Sequence, residues 1–416
     1  MELSLRRRRK GFDFKPPRDN RFVLHLMYCL LPIASRVVLD IVEIKVDSDS
    51  LDRLRRLKTS RAALLPNHPT DKDSVIMFHL AKLLGERFTF LAARELFDLA
   101  PVSWLLQRCG VYSVMRGMND RKSFKTTVAL LAEGKRKLVI FPEGLTCWQN
   151  DTVMPFQEGV PLFGFWALEN LKERTTLEPL YLVPVAIKYA YVRDMRRVID
   201  RSLGRLERKL GLKPTGRTLY VRLREIGEAV VTSAEKEYGV RGSPSRDLDL
   251  RIQGMKDLLV TRIATTLGVT FKTEQNLPAR IRTLVNSLNE IMHQDAQGSE
   301  YLLELHRKRR AEVEHFFDDL SRVLHFVGTY DGYVKETMTA ERFLDVIGQL
   351  EMEVFNKRTH HGPVRVHVSV GEPMDLTQRF GEYQKDKRGV LSSVTSALEE
   401  SVKHMLADLG RFATPL

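Results

Sequence analysis

The chain has 416 residues, room for about two to three domains and a large core, and its 43% hydrophobic and 29% charged content is that of an ordinary globular protein. A surplus of 66 Lys and Arg over 53 Asp and Glu leaves a net charge of +13, which draws phosphates, whether on nucleic acid, anionic lipid or a small molecule. No zinc-finger spacing, RNP-type aromatic motif or basic zipper accompanies that charge, so nucleic acid is not the expected partner. Cys29, Cys109 and Cys147 form no CxxC and no disulfide framework, which suits a reducing interior. No His/Cys cluster has metal-ligand spacing, and catalysis without a bound metal is expected.

Residues 1–21 carry Arg6-Arg7-Arg8-Arg9-Lys10 and Pro16-Pro17 and read as a flexible basic arm, each cation near an anionic surface adding about 1 kcal/mol. An export signal does not fit, because the apolar stretch starts late and lacks a small-residue cleavage site. Residues 22–45 are the most apolar part of the chain. His25, Pro32, Arg36 and Asp40 argue against a membrane span. One or two amphipathic helices lying in the membrane interface are expected instead, within an N-terminal unit of residues 22–55.

A basic helix over Leu51–Leu57 and a buried strand over Ala62–Leu65 come next. From there the pattern alternates: a helix ending near Gly85, a strand at Phe88–Ala93, a helix through Trp104, a strand at Val111–Val114, a helix over Arg121–Glu133, a strand at Leu138–Phe141, a helix at 158–173 and a strand at Tyr181–Ile187. This alternation predicts an α/β fold with a mostly parallel sheet and flanking helices. A basic helix at Arg193–Leu210 and an alternating strand at Thr218–Leu223 extend the first part of the domain, 56–245, to a linker at Ser243-Pro244-Ser245.

From 246 to 361 the apolar stripes are helical, which predicts a large insertion before the last strand. Val364–Val370 alternates throughout and ends at Gly371-Glu372-Pro373, so the α/β domain resumes over 362–416 with a closing strand and a C-terminal helix.

Pro66 and Pro69 interrupt the chain after the Leu64-Leu65 strand, and Thr70 and Asp71 open the helix that follows. His68 therefore stands in a strand-to-helix turn. Asp73, in the first helical turn, is placed to fix the imidazole tautomer and raise its basicity, as a general base requires. Asp71 is the rival carboxylate. His68 and Glu143 each follow a strand and are expected on one rim of the sheet.

Asn67-His68-(four residues)-Asp73 resembles the first motif of the glycerolipid acyltransferases, the family of the bacterial lysophosphatidate acyltransferase. Gly110-Val111-Tyr112-Ser113-Val114-Met115-Arg116-Gly117 resembles the second, Phe141-Pro142-Glu143-Gly144 the third, and Val183-Pro184-Val185-Ala186-Ile187 the fourth. Four motifs in order make a specific signal.

The resemblance implies transfer of an acyl group from acyl-CoA or acyl-carrier protein to the hydroxyl of lysophosphatidate or a related glycerolipid, at the cytoplasmic face of a membrane by a peripheral or monotopic protein. No bound cofactor is implied. His68 would be the base and Asp73 its orienter, attack would be direct, and Asn67 with nearby backbone N–H groups would serve the oxyanion. Arg116 would bind the acceptor phosphate, Glu143 and Gly144 would line the acceptor pocket, and Pro184 would shape the apolar channel.

One departure stands out. Where the family continues Glu-Gly-Thr-Arg, this chain has Glu143-Gly144-Leu145-Thr146-Cys147-Trp148. The second phosphate-binding arginine is missing, and Lys188, Arg121 and Lys72 are the candidate substitutes. A different lysolipid or a membrane alcohol without phosphate is the alternative acceptor. A basic peripheral membrane scaffold is the non-enzymatic alternative, and a hydrolase has no Gly-x-Ser-x-Gly elbow to support it.

Overall fold

The computed structural model describes residues 13–116, 120–146, 148–174, 177–213, 217–240, 247–272, 275–293, 299–327 and 338–416. Eight strands make one sheet: β1 (Ile41–Val46), β2 (Arg61–Pro66), β3 (Thr89–Ala93), β4 (Val111–Val114), β5 (Leu138–Val139), β6 (Leu180–Tyr191), β7 (Val364–Val370) and β8 (Met374–Asp375). Their order is β1-β7-β6-β2-β5-β3-β4, with β8 beside the start of β6. Every pairing is parallel except those of β6 with β7 and β8. The α/β architecture with a mostly parallel sheet is as the alternating pattern predicts.

Strand β2 shows why the sheet lies in the middle. From Ala62 to Pro66 it is buried throughout, as a parallel strand covered on both faces must be. Side chains alternate across a strand: Ala63 and Leu65 enter one apolar core, Ala62 and Leu64 the other. Helices α1 (Arg21–Val37), α2 (Ser48–Arg56), α3 (Asp73–Leu84) and α4 (Ala100–Arg108) cover the Ala62/Leu64 face. Helices α5 (Arg121–Glu133) and α6 (Gly159–Arg174) cover the other. Leu64 and Leu65 are fully buried, so truncating either to alanine costs about 2–5 kcal/mol.

Between β6 and β7 lie α7 (Arg196–Leu210), α8 (Leu219–Glu237), α9 (Leu248–Leu267), α10 (Leu277–His293), α11 (Glu300–Glu314), α12 (Phe316–Val327) and α13 (Ala340–Phe355). After β8, α14 (Phe380–Lys385) and α15 (Lys387–Leu409) return to the sheet.

Four expectations are corrected. Residues 13–20 do not float as an arm: the Lys15 carbonyl accepts from the Ser113 N–H, the Lys15 N–H donates to Ser113 Oγ, and Arg18 and Asn20 donate to Gln107 and Arg108 carbonyls. The Arg6–Lys10 run lies outside the described residues. The apolar segment 22–45 is one helix, α1, with Pro32 inside it. The chain then turns at Asp40 (φ 52°), and Ile41 begins a strand paired to β7. That strand is tied into the sheet.

Thr218–Leu223 is not a strand. Thr218 caps α8, its side chain accepting from the Val221 N–H, and the buried residues Leu223, Ile226, Val230 and Ala234 continue at helical spacing. Finally, α7 and α8 share one apolar core with α13, so the helical block begins at Arg196 in space, upstream of residue 246. Ser243-Pro244-Ser245 lies outside the described residues. No described helix is long and apolar enough to cross a membrane.

Candidate active site

Two buried asparagines shape the rim from which the site projects. The last backbone bond from this strand to β6 runs from the Asn67 N–H to the Val185 carbonyl (3.3 Å). The side chain of Asn67 then extends the ladder: Oδ1 accepts from the Ile187 N–H (2.7 Å) and Nδ2 donates to the Ile187 carbonyl (3.1 Å). Asn150 repeats the device two residues on, at Tyr189 (2.8 and 2.7 Å). Each satisfies a backbone pair that would otherwise be buried and unmet. Asn67 is fully buried and turned into the sheet. It is a clip for β6, and the oxyanion role expected of it is withdrawn.

Released from the ladder at residue 68, the chain makes a turn before α3. Asp73, the first residue of α3, is fully buried and heavily bonded. Its Oδ2 accepts from the Thr70 N–H (2.9 Å) and lies 2.8 Å from His68 Nδ1. Its Oδ1 accepts from Tyr189 Oη (2.6 Å) and lies 3.0 Å from Thr70 Oγ1. Burial and the neighbouring Asp73 hold the Tyr189 phenol well above its ordinary range, so it stays a donor. With Asp73 accepting, Nδ1 carries the proton and Nε2 is left as the basic nitrogen. Asp73, and not Asp71, is the carboxylate on Nδ1.

The imidazole stacks on Phe141, centroids 4.3 Å apart, and Nε2 is 3.2 Å from Thr146 Oγ1. Glu143 grips the same turn from behind. Its Oε1 accepts from the His68 backbone N–H (2.6 Å) and Oε2 from the Met154 N–H (2.9 Å). The residue is fully buried, and that burial pushes its carboxyl up to about 8 against the pull of the two N–H groups. Glu143 holds two loops together and does not line the cavity, contrary to expectation.

The cavity beside His68 measures about 590 Å³, within the usual range for a ligand site. Its wall is mainly apolar, with Phe78, Phe90, Leu106, Phe124, Ile140 and Phe163 among its residues. His68, Arg116, Gly144 and Thr146 also line it. Arg116 Nη1 donates to the Gly144 carbonyl (3.2 Å), Nη2 lies 3.6 Å from Glu95, and buried Nε has no hydrogen-bond partner among the described residues. Gly144 has φ +71°, and a Cβ there would collide with Gln157, so only glycine fits.

Pro184 is not on the cavity. It lies in the interior of β6, opposite Leu65, where β7 gives way to β8. Its missing N–H is tolerated at that break, and its ring meets Gly371 beside Ser401 and Met405.

The proposed substitutes for the missing arginine are likewise elsewhere. Lys188 is buried against Asp151, Lys72 bonds the Leu39 carbonyl, and exposed Arg121 is not on the wall. The cation that does reach the cavity is Arg282 of α10, which donates from Nη1 to the Pro155 (3.1 Å) and Glu143 (3.4 Å) carbonyls. Sequence reasoning did not find Arg282, Tyr189 or Thr146. Tyr189 had a weak signal as one of the polar groups, with Lys188 and Tyr191, at the end of an apolar strand, and the other two had none.

Residues 45–188 match the Acyltransferase family model, the lysophosphatidate acyltransferase-like family. The match runs from β1 into β6 and spans His68, Asp73, Arg116 and Glu143. No curated protein matches the chain. Over residues 45–188 the chain is similar to an acyltransferase domain.

Proposed function

We propose that this acyltransferase domain moves a fatty acyl group from acyl-CoA or acyl-carrier protein to the free hydroxyl of lysophosphatidate or a related glycerolipid. The observation that carries the reading is the His68–Asp73 pair, 2.8 Å apart, on the wall of a largely apolar cavity.

In this reading the acceptor hydroxyl comes within hydrogen-bond reach of His68 Nε2, the direction that Thr146 Oγ1 occupies here. Nε2 takes the hydroxyl proton as the oxygen attacks the thioester carbonyl. Asp73 steadies the imidazolium that forms. The tetrahedral intermediate then collapses, the C–S bond breaks, and the thiolate recovers the proton from His68. The thioester is already activated, so no acyl-enzyme is needed. Binding both substrates along one apolar wall supplies the proximity.

An approach to lipid is supported by the outer face of the N-terminal helices. Phe22, Leu26, Leu30, Ile33 and Val37 of α1 are exposed, as are Val102, Trp104 and Leu105 of α4. The two helices touch, and Leu106 of α4 is part of the cavity wall. An apolar face of this size on a basic protein suits docking to an anionic bilayer surface, with the cytoplasmic leaflet as the expected partner.

The test is thioester-dependent release of free thiol with a panel of lysolipids. His68→Ala is expected to lower turnover by at least about a thousandfold while binding to anionic vesicles persists. Normal turnover by that variant would overturn the reading.

A further inference from the structure

We infer that the helical block between β6 and β7 supplies half of the acceptor's headgroup site: Arg282 of α10 joins Arg116 in a two-guanidinium wall for a phosphate monoester. The inference rests on the acyltransferase reading and names the acceptor class. Both arginines line the one cavity. Arg116 donates to the Gly144 carbonyl and Arg282 to the Glu143 carbonyl, so adjacent peptides anchor the two groups side by side.

A guanidinium has five N–H donors in a planar fork. Those anchors use one Nη of each, and buried Nε of Arg116 has no hydrogen-bond partner among the described residues. Such a donor is costly to leave unmet, and an anion in the cavity would meet it.

The surrounding carboxylates leave part of this charge unspent. Both oxygens of Glu143 accept backbone N–H groups. Glu399 is engaged by the Phe156 N–H and Lys403. Buried Glu95 forms an ion pair with Arg116 Nη2 at 3.6 Å and offsets part of that one guanidinium's charge. α10 also brings Gln275, Thr283 and Asn286 to the wall, neutral groups that suit the rest of a polar headgroup. Arg282 thus brings a guanidinium to the third-motif stretch, which lacks its arginine, from 139 residues downstream of Glu143.

The experiment measures binding of sn-glycerol 3-phosphate by calorimetry to the full chain, independent of turnover. Acyl transfer to lysophosphatidate and to monoacylglycerol is measured in parallel. Arg282→Gln is expected to weaken glycerol 3-phosphate binding about tenfold or more, and to raise KM for lysophosphatidate similarly with kcat nearly kept. KM for monoacylglycerol should change less than about threefold.

If Arg282→Gln does not fold, Arg282→Lys, a point charge without the fork, should still weaken binding at least about threefold. Unchanged binding in the folded variant, no binding by the wild-type protein, or an equal loss toward both acceptors would overturn the inference. Absence of acyl transfer to any acceptor by a wild-type protein that binds glycerol 3-phosphate would instead overturn the acyltransferase reading and leave the anion site standing.

Discussion

Tyr189 Oη donates to Asp73 Oδ1 across 2.6 Å, joining the far end of β6 to the first residue of α3. The carboxylate that orients His68 is therefore itself oriented, from a strand 116 residues away. A general base must be held in one tautomer and one pose, and a locked carboxylate does both.

Asp73→Asn should cost at least about a hundredfold in kcat, because the amide cannot hold Nδ1 as a donor. Tyr189→Phe leaves the carboxylate in place but frees one oxygen, and about a tenfold loss in kcat is expected with KM little changed. Steady-state kinetics on both variants check this. A Tyr189→Phe enzyme as impaired as Asp73→Asn would mean that the phenol does more than position.

Thr146 stands 3.2 Å from His68 Nε2, where a triad enzyme would carry its nucleophile. Under the proposed direct attack by the acceptor, that hydroxyl is dispensable. Thr146→Val should retain turnover within about tenfold, and intact-mass spectrometry of the wild-type protein with acyl-CoA alone should find no acyl adduct. An adduct on Thr146 would replace direct transfer with a two-step route.

Glu143 links the site to pH. Its carboxyl is raised from an ordinary 4.5 to about 8 by burial. Between those values the folded chain keeps a proton that the unfolded chain has released, so the contribution to stability is present below about pH 4.5 and fades as pH rises through 8.

Wild-type stability should thus fall with rising pH more steeply than that of Glu143→Gln, by on the order of 1 kcal/mol per unit at most. Urea midpoints at pH 5.5 and 8.5 measure the difference. At pH 5.5 the variant should be the weaker of the two, since its amide donor opposes one of two backbone N–H groups, and the gap should narrow as pH rises. Parallel slopes for the two proteins would show that the carboxyl is not raised.

The proposed docking to lipid through the exposed face of α1 and α4 is testable. Ile33 and Trp104 are 64% and 54% exposed, so replacing both with aspartate should leave the fold intact. Vesicle co-sedimentation should fall about tenfold or more, while turnover of a water-soluble short-chain lysolipid stays within about threefold. Loss of both together would point to a packing role for this face.

The reading of Thr218–Leu223 as a strand shows where a local pattern misleads. Leu219, Val221 and Leu223 alternate over six residues, a window too short to separate a period of 2 from one of 3.6. Only the continuation through Ile226, Val230 and Ala234 decides it. The reverse holds for β2 and β6, whose apolar runs are long enough to demand burial on both faces, and the sheet follows from them.

What the sequence determined by itself is the short-range part: the strand-turn-helix around His68, the five-residue reach to Asp73 and the alternation that builds the sheet. Each depends on neighbours along the chain, whose geometry follows from local backbone rules. What only the tertiary structure decided is which polar groups meet across the fold. Asn67 clips β6, Glu143 clasps two loops, Tyr189 steadies Asp73, and Arg282 arrives from the helical block. These meetings depend on how separate elements dock, and the packing of apolar surfaces that sets the docking leaves no mark at the residues it brings together.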